Sequence, residues 1–309
     1  MPDLPKRQLG RTGLQVTTLG FGAMELRDAP RGRPVDSKQA GEVLNGVLDS
    51  GINYIDTSPD YGLAEERIGE HISHRRSEYY LSSKCGCLVG VAPAARGERQ
   101  DHIFTRENIV AGVEQSLRRM KTDHLDVVQF HASPSRETLE HNEAVATLKD
   151  LQSQGKIRFL GMSGTLPNLV DHIKMGAFDV FQIPYSGLQR ETEDAISLAS
   201  EAGAGIVIRG GAAQGGAREG RRSGASWDVW KAAGLDDLLD GMTPVEFVLR
   251  FTFSNPDLDT NIVGTLNPDH LRNNVEVVQK GPLPQYIYEE AKLRLTAAGM
   301  APEKLQANA

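Results

Sequence analysis

The sequence predicts an α/β fold, a closed (β/α)8 TIM barrel with a small β-hairpin across its N-terminal mouth. Three observations carry that expectation. A short apolar, β-rich run followed by a loop and an amphipathic helix recurs eight times along the chain. No Pro/Ser-rich linker or shift in composition separates these units, which suits one barrel domain over residues 1–309. The alternation also fits an open doubly wound sheet, but that sheet calls for Gly-x-Gly-x-x-Gly after its first strand. Here Gly20-Phe-Gly22-Ala-Met-Glu25 lacks the third glycine.

In chain order, Arg7 to Leu9 and Leu14 to Val16 read as a hairpin around Gly10-Arg-Thr-Gly13. The barrel begins with the strand Thr18–Gly22. A helix over Ser37–Ser50 puts Ala40, Val43, Leu44, Val47 and Leu48 on one face. Strand Asn53–Asp56 precedes helix Ala64–Ser73, and strand Tyr79–Lys84 precedes helix Thr105–Met120. Strand Leu125–His131 leads to helix Thr138–Gln154, and Lys156–Ser163 leads to Pro167–Met175. Strand Val180–Pro184 precedes a helix over Glu191–Glu201 that stops at Gly203. Gly205–Arg209 opens a long loop before helix Thr243–Phe251, whose Pro244 suits a first turn. Thr260–Val263 leads to Pro268–Gln279, and Pro284–Leu295 forms a last helix.

Composition bounds the function. A chain that is 39% hydrophobic and 24% charged can bury a sizeable core. Its net charge of −7 argues against nucleic acid and anionic membranes as partners, because both select basic surfaces. No stretch approaches the ~20 apolar residues of a membrane span, and Met1 to Gly10 has no apolar signal core. Cys85 and Cys87 are the two cysteines; their spacing is poor for a disulfide, and without further thiols no structural zinc site is expected. Two free thiols and no leader suit a cytoplasmic protein.

In a (β/α)8 enzyme the chemistry gathers at the C-terminal strand ends. The second barrel strand ends in Asp56, with Tyr61 in the turn that Ser58, Pro59, Asp60 and Gly62 favour. The third ends in Lys84 and the fourth in His131. A bare carboxylate at an apolar strand end must be paired or solvated. Four ionisable groups at consecutive strand ends would face one cavity, which packing does not require.

Gly51–Gly62, Leu81–Lys84 and Val128–His131 resemble the aldo-keto reductase superfamily, whose Asp, Tyr, Lys, His tetrad appears in order. The resemblance runs on through Gly161-Met-Ser163, Phe181-Gln-Ile-Pro-Tyr185 and Gly264-Thr-Leu-Asn-Pro-Asp-His270, from Leu9 to about Val278. It implies an NAD(P)-dependent reduction of an aldehyde or ketone, or its reverse, on a small-molecule substrate. Tyr61 is then the general acid, with Lys84 expected to lower its pKa, Asp56 to hold Lys84 charged, and His131 to orient the carbonyl.

The same resemblance makes Gly22 and Asp56 cofactor-binding residues and sets Ser163, Gln182 and Tyr185 against the nicotinamide, with Tyr185 stacking on the ring. Gly164 stands where many relatives carry Asn. Arg209, Gly210 and Gly211 open the glycine-rich loop expected at the pyrophosphate. Thr265, Asn267, His270 and Asn274 surround the helix start where relatives hold the adenosine 2′-phosphate and adenine. NADP is the family's cofactor; since Gly264 and His270 replace the usual basic residues, NAD use stays compatible.

Met24, Tyr61, His131 and Trp227 are candidate substrate contacts, although a core methionine and packed tryptophans Trp227 and Trp230 explain the sequence equally well. Loops Met24 to Val35, Cys87 to Thr105 and Ala132 to Arg136 should ring the cavity. Arg96, Arg99 and His102 in the second suit an anionic or sugar-like substrate, or a solvated loop. Two other classes stay open: a cofactor-binding regulatory subunit of the potassium-channel beta type with little turnover, and a barrel aldolase using Lys84 as a Schiff-base amine.

Overall fold

The computed structural model describes residues 3–30, 32–91, 101–213 and 224–305. Strands β1 (Lys6–Gln8) and β2 (Gln15–Thr17) pair antiparallel around a short 3-10 turn, Gly10–Thr12. Next come β3 (Leu19–Gly22), α1 (Ser37–Asp49), β4 (Tyr54–Asp56), α2 (Ala64–His71), β5 (Tyr80–Cys85), α3 (Arg106–Met120) and β6 (Leu125–Phe130). Two helices follow, α4 (Arg136–His141) and α5 (Ala144–Ser153), then β7 (Ile157–Ser163), α6 (Asn168–Lys174), β8 (Val180–Pro184), α7 (Glu193–Glu201) and β9 (Gly205–Arg209). The chain ends with α8 (Gly224–Ala232), α9 (Pro244–Phe253), β10 (Thr260–Val263), α10 (Pro268–Gln279) and α11 (Gln285–Ala297).

Strands β3 to β10 close into a parallel barrel, β10 pairing with both β3 and β9. The hairpin does stopper it. Leu9, Leu14 and Val16 pack into one buried cluster with Tyr54, Val127, Val180 and Val207 from four barrel strands. Asp259 ties that plug to the barrel, since its Oδ2 accepts from Gly10 N at 3.2 Å and from Ile206 N at 2.8 Å. The opposite mouth is thus left for the strand ends that carry polar residues. A larger apolar layer fills the space between barrel and helices, and α1 buries the five residues its periodicity marks out. Asp36 caps that helix by accepting from Gln39 N.

Two elements differ from expectation. The single helix expected over 138–154 is two, because Glu143 takes a left-handed conformation (φ 48°) and restarts the chain. A continuous helix would set Leu139 and Ala144 about 140° apart, whereas both are fully buried in the core. The long loop after β9 contains α8, whose Trp227 and Trp230 stack in parallel with ring centroids 6.5 Å apart. Among the described residues no helix is long and apolar enough to cross a membrane.

Candidate active site

Strand register brings the candidate residues to one end of the barrel. Asp56 closes β4 opposite Gly22 of β3 and Ser82 of β5, and Lys84 of β5 lies opposite Gln129 of β6. His131 follows β6, its backbone N–H bonded to Cys85 O at 3.1 Å.

The centre is an ion pair sealed from solvent. Lys84 Nζ donates to Asp56 Oδ2 at 2.7 Å and to Thr57 O at 2.8 Å, with Lys84 1% and Asp56 2% exposed. Gln129 Nε2 donates to the other oxygen, Asp56 Oδ1, at 3.0 Å. Burial works against the ammonium, yet Asp56, Tyr61 and Asp60 together hold the Lys84 pKa above its usual value, so the amine is charged.

Tyr61 sits in the turn after β4, with Lys84 Nζ 5.2 Å from its ring centroid. Gly62 makes that turn feasible: its φ is +50°, and a Cβ there would lie 2.0 Å from Arg27 O. Burial pushes the Tyr61 phenol above its ordinary pKa, and Lys84 only partly offsets this. The expected lowering by Lys84 is present, but the net direction is upward, because desolvating a phenolate outweighs one ammonium whose hydrogen bonds go to Asp56 and Thr57.

His131 lies edge-on to Tyr61, ring centroids 6.2 Å apart. Burial lowers its pKa to about 3, with Asp60 opposing and Lys84, His102 and Arg209 assisting. The imidazole is therefore neutral and acts as a hydrogen-bond partner rather than a cation. Its Nδ1 meets His102 Nε2 at 3.1 Å, Cys87 Sγ at 3.4 Å and Ser58 Oγ at 3.5 Å. The sequence gives Cys87, Ser58 and Asp60 no role in the chemistry and places His102 on a loop ringing the cavity. An isolated antiparallel bridge between Cys87 and His102 brings the histidine back to His131 across the loop.

The residues expected along the cofactor divide by position. Ser163 and Gln182 are register partners on β7 and β8, and Ser163 Oγ donates to Gln182 Oε1 at 3.3 Å. Gln182 Nε2 is buried without a hydrogen-bond partner. A buried amide left in that state is destabilising unless a ligand satisfies it, so this pair fits a carboxamide of nicotinamide type. Gly164 N donates to Gln182 O, which fixes the backbone where relatives carry a side chain.

Tyr185 is fully buried among core residues, and burial raises its hydroxyl pKa, with Tyr288, Glu193 and Asn255 acting on it. The ring has no exposed face in this arrangement, so stacking on a nicotinamide would require it to move. Arg209 ends β9 and senses Tyr61 and Asp56, although burial is the main influence and lowers its pKa. Gly210 follows with φ 78°, and a Cβ on Gly211 would lie 2.5 Å from the Asn261 side chain. The rest of that glycine-rich loop, 214–216, lies outside the described residues, as do Arg96 and Arg99.

At the far end, Asn267 caps α10 by accepting from Asp269 N at 2.8 Å, and Thr265 Oγ1 accepts from Asn267 N at 3.0 Å. Asn274 is buried and His270 exposed. Arg272 is engaged by Asp269, a carboxylate in the first turn of the helix. Of the substrate candidates, Met24 is 41% exposed, which excludes the core reading. Trp227 is held by Trp230, which itself packs on Phe247 and donates to Asp236 at 2.9 Å. For the two tryptophans, core packing is the reading the contacts favour.

Comparisons with known proteins bear on the chain as a whole. The sequence model of the Aldo/keto reductase family matches residues 18–292. The chain is 26% identical to the uncharacterized oxidoreductase YqkF of Bacillus subtilis, over 88% of this chain and 90% of that one. It is 26% identical to L-galactose dehydrogenase of Arabidopsis thaliana, over 90% and 89%. Among solved structures, the holo form of an aldo-keto reductase from Bacillus halodurans superposes with a TM-score of 0.82 at 26% identity, covering 99% of both chains. A closed barrel with Asp56, Lys84, Tyr61 and His131 at one mouth, matched over nearly its whole length by these sequences, belongs to the aldo/keto reductase family.

Proposed function

We propose that the protein is a nicotinamide-dependent oxidoreductase that interconverts an aldehyde or ketone and the corresponding alcohol, with Tyr61 as general acid and base. The observation that carries this reading is the sealed Asp56–Lys84 pair set 5.2 Å from the Tyr61 ring. The bound nicotinamide supplies the hydride in one direction and accepts it in the other.

Everything else falls to the chain's own residues. Ser163 and Gln182 would orient the carboxamide, and Arg209, Gly210 and Gly211 would face the pyrophosphate. With its pKa raised, Tyr61 stays protonated at neutral pH and can donate to a carbonyl oxygen. As that proton leaves, the phenolate is stabilised by Lys84, whose charge Asp56 secures. Neutral His131 engages its neighbours through Nδ1, leaving Nε2 to hydrogen-bond the substrate oxygen.

NADP is the cofactor the family pattern favours; Thr265, Asn267, His270 and Asn274 would surround its adenosine end. Asp269, which engages Arg272 there, argues for a modest preference over NAD. A small-molecule carbonyl or sugar-like substrate is proposed, the latter supported by the L-galactose dehydrogenase relative. The first test follows NADPH absorbance with 4-nitrobenzaldehyde and a panel of aldoses. Enzyme-dependent oxidation is expected. Tight NADPH binding without turnover on any of these would favour the channel-subunit type of role instead.

A further inference from the structure

Beside the tetrad, four side chains from separate parts of the sequence converge on one point. His131 Nδ1 has His102 Nε2 at 3.1 Å, Cys87 Sγ at 3.4 Å and Asp60 Oδ2 at 3.7 Å, and one such atom from each of the four lies within 4.8 Å of every other. With Ser58 Oγ at 3.5 Å, four groups crowd a single imidazole nitrogen. That nitrogen has one lone pair or one N–H, so it can satisfy one of them at a time.

The spacing has a second meaning. A tetrahedral ion with bonds of about 2.0–2.1 Å to nitrogen and oxygen and 2.3 Å to sulfur sets its ligand atoms about 3.3 Å apart, or about 3.6 Å between nitrogen and sulfur. The three measured separations around Nδ1 bracket those edges. We propose that Asp60, Cys87, His102 and His131 form a binding site for a divalent cation of the zinc class, bordering the active site. Two imidazoles, a thiolate and a carboxylate suit a borderline-soft ion rather than magnesium or calcium.

Backbone pairing ties the loop ends that carry two of these ligands. Cys87 and His102 form an isolated antiparallel bridge, which Ile103 N to Gly86 O at 2.8 Å extends. Asn108 Nδ2 clamps both sides, donating to Cys87 O at 3.1 Å and Ile103 O at 2.8 Å. Gly86, with φ +91°, is required there, because a Cβ would lie 2.3 Å from the Phe104 ring. Ser58 Oγ donates to Asp60 Oδ1 at 2.6 Å, which orients the carboxylate and leaves Oδ2 toward His131. The sequence expectation of no zinc site considered thiols alone; the set assembled here uses one thiol.

Ligation would have a consequence for catalysis. A cation on His131 Nδ1 requires the remaining proton of that ring to sit on Nε2, the tautomer that donates to a substrate oxygen. Occupancy would therefore alter turnover, a consequence that rests on the role proposed for His131, while the site itself does not. Binding also displaces the Cys87 proton, so it should release a proton and strengthen as pH rises.

The experiment is a titration of the purified, chelator-dialysed full chain with Co2+ and then Zn2+, read by absorbance and calorimetry. One equivalent of Co2+ with intense tetrahedral d–d bands and a thiolate charge-transfer band is expected, displaced by Zn2+. His102→Ala, on a partly exposed loop, should weaken binding at least tenfold with an unchanged circular dichroism spectrum, and Cys87→Ser should abolish the charge-transfer band. No stoichiometric uptake by the wild type would overturn the proposal. So would Co2+ spectra identical in wild type and both variants, which would locate the ion elsewhere.

Discussion

Replacing Lys84 by Met separates the two roles of the buried pair. Asp56 is 2% exposed and would keep only Gln129 Nε2, which it shares with Ser82 Oγ at 2.6 Å. Thr57 O would lose its 2.8 Å donor as well. Stripping one partner from a sealed ion pair costs about 3–5 kcal/mol, because the survivor is an uncompensated charge. At about 2 °C per kcal/mol for a chain of this size, the melting temperature should fall by roughly 6–10 °C.

The double variant Asp56→Asn/Lys84→Met leaves no bare charge and keeps an acceptor for Gln129. It should be less destabilised than Lys84→Met alone, recovering about 2 kcal/mol or more. The assay is reversible denaturant unfolding of wild type, both single variants and the double. A single-variant loss below about 1 kcal/mol, or a double variant whose loss equals or exceeds the sum of the single-variant losses, would refute the view that this pair is sealed and mutually dependent.

Other perturbations probe separate parts of the account. Burial raises the Asp259 pKa to about 6 although Gly10 and Ile206 donate to it. Between its ordinary value of 3.8 and 6 the folded state holds a proton that the unfolded chain releases, so this contribution is full below about pH 4 and is lost as pH rises through 6. Both donors share Oδ2, so Asp259→Asn keeps them; unfolding free energies of the two proteins should diverge by about 2 kcal/mol in the variant's favour between pH 4 and 7, and parallel curves would contradict the shift. Asp269→Asn removes a carboxylate from the α10 start and releases Arg272, so the NADPH-to-NADH affinity ratio should rise about threefold to fivefold at low salt; an unchanged ratio would remove the phosphate from this helix. Gln182→Leu should weaken cofactor binding about tenfold, because the amide that faces the carboxamide is lost; unchanged affinity by fluorescence titration would detach Gln182 from the carboxamide.

Much of the architecture was readable from residue order. Strand and helix periods alternate cleanly in a barrel whose strands are buried on both faces, and the strand-end positions of Asp56, Lys84 and His131 follow from counting. Boundaries that depend on tertiary contact were not readable. The break at Glu143 rotates Ala144 into the core, and α8 sets Trp230 against Phe247, a contact made far along the chain. The direction of the Tyr61 shift was hidden too, since sequence names the charged neighbour but not the depth of burial. His102 and Cys87 reach His131 through a cross-loop bridge between residues fifteen apart in sequence, which no local pattern announces.

The central claim is that Tyr61 moves the proton and does not hold the cofactor. Tyr61→Phe removes one oxygen from a site where Lys84, Asp56 and Gln182 are untouched. Measured together by NADPH fluorescence titration and aldehyde-dependent NADPH oxidation, the variant should bind NADPH within about twofold of wild type and lose at least about 100-fold in kcat. Turnover that survives the substitution, or binding that falls in step with it, would contradict the account.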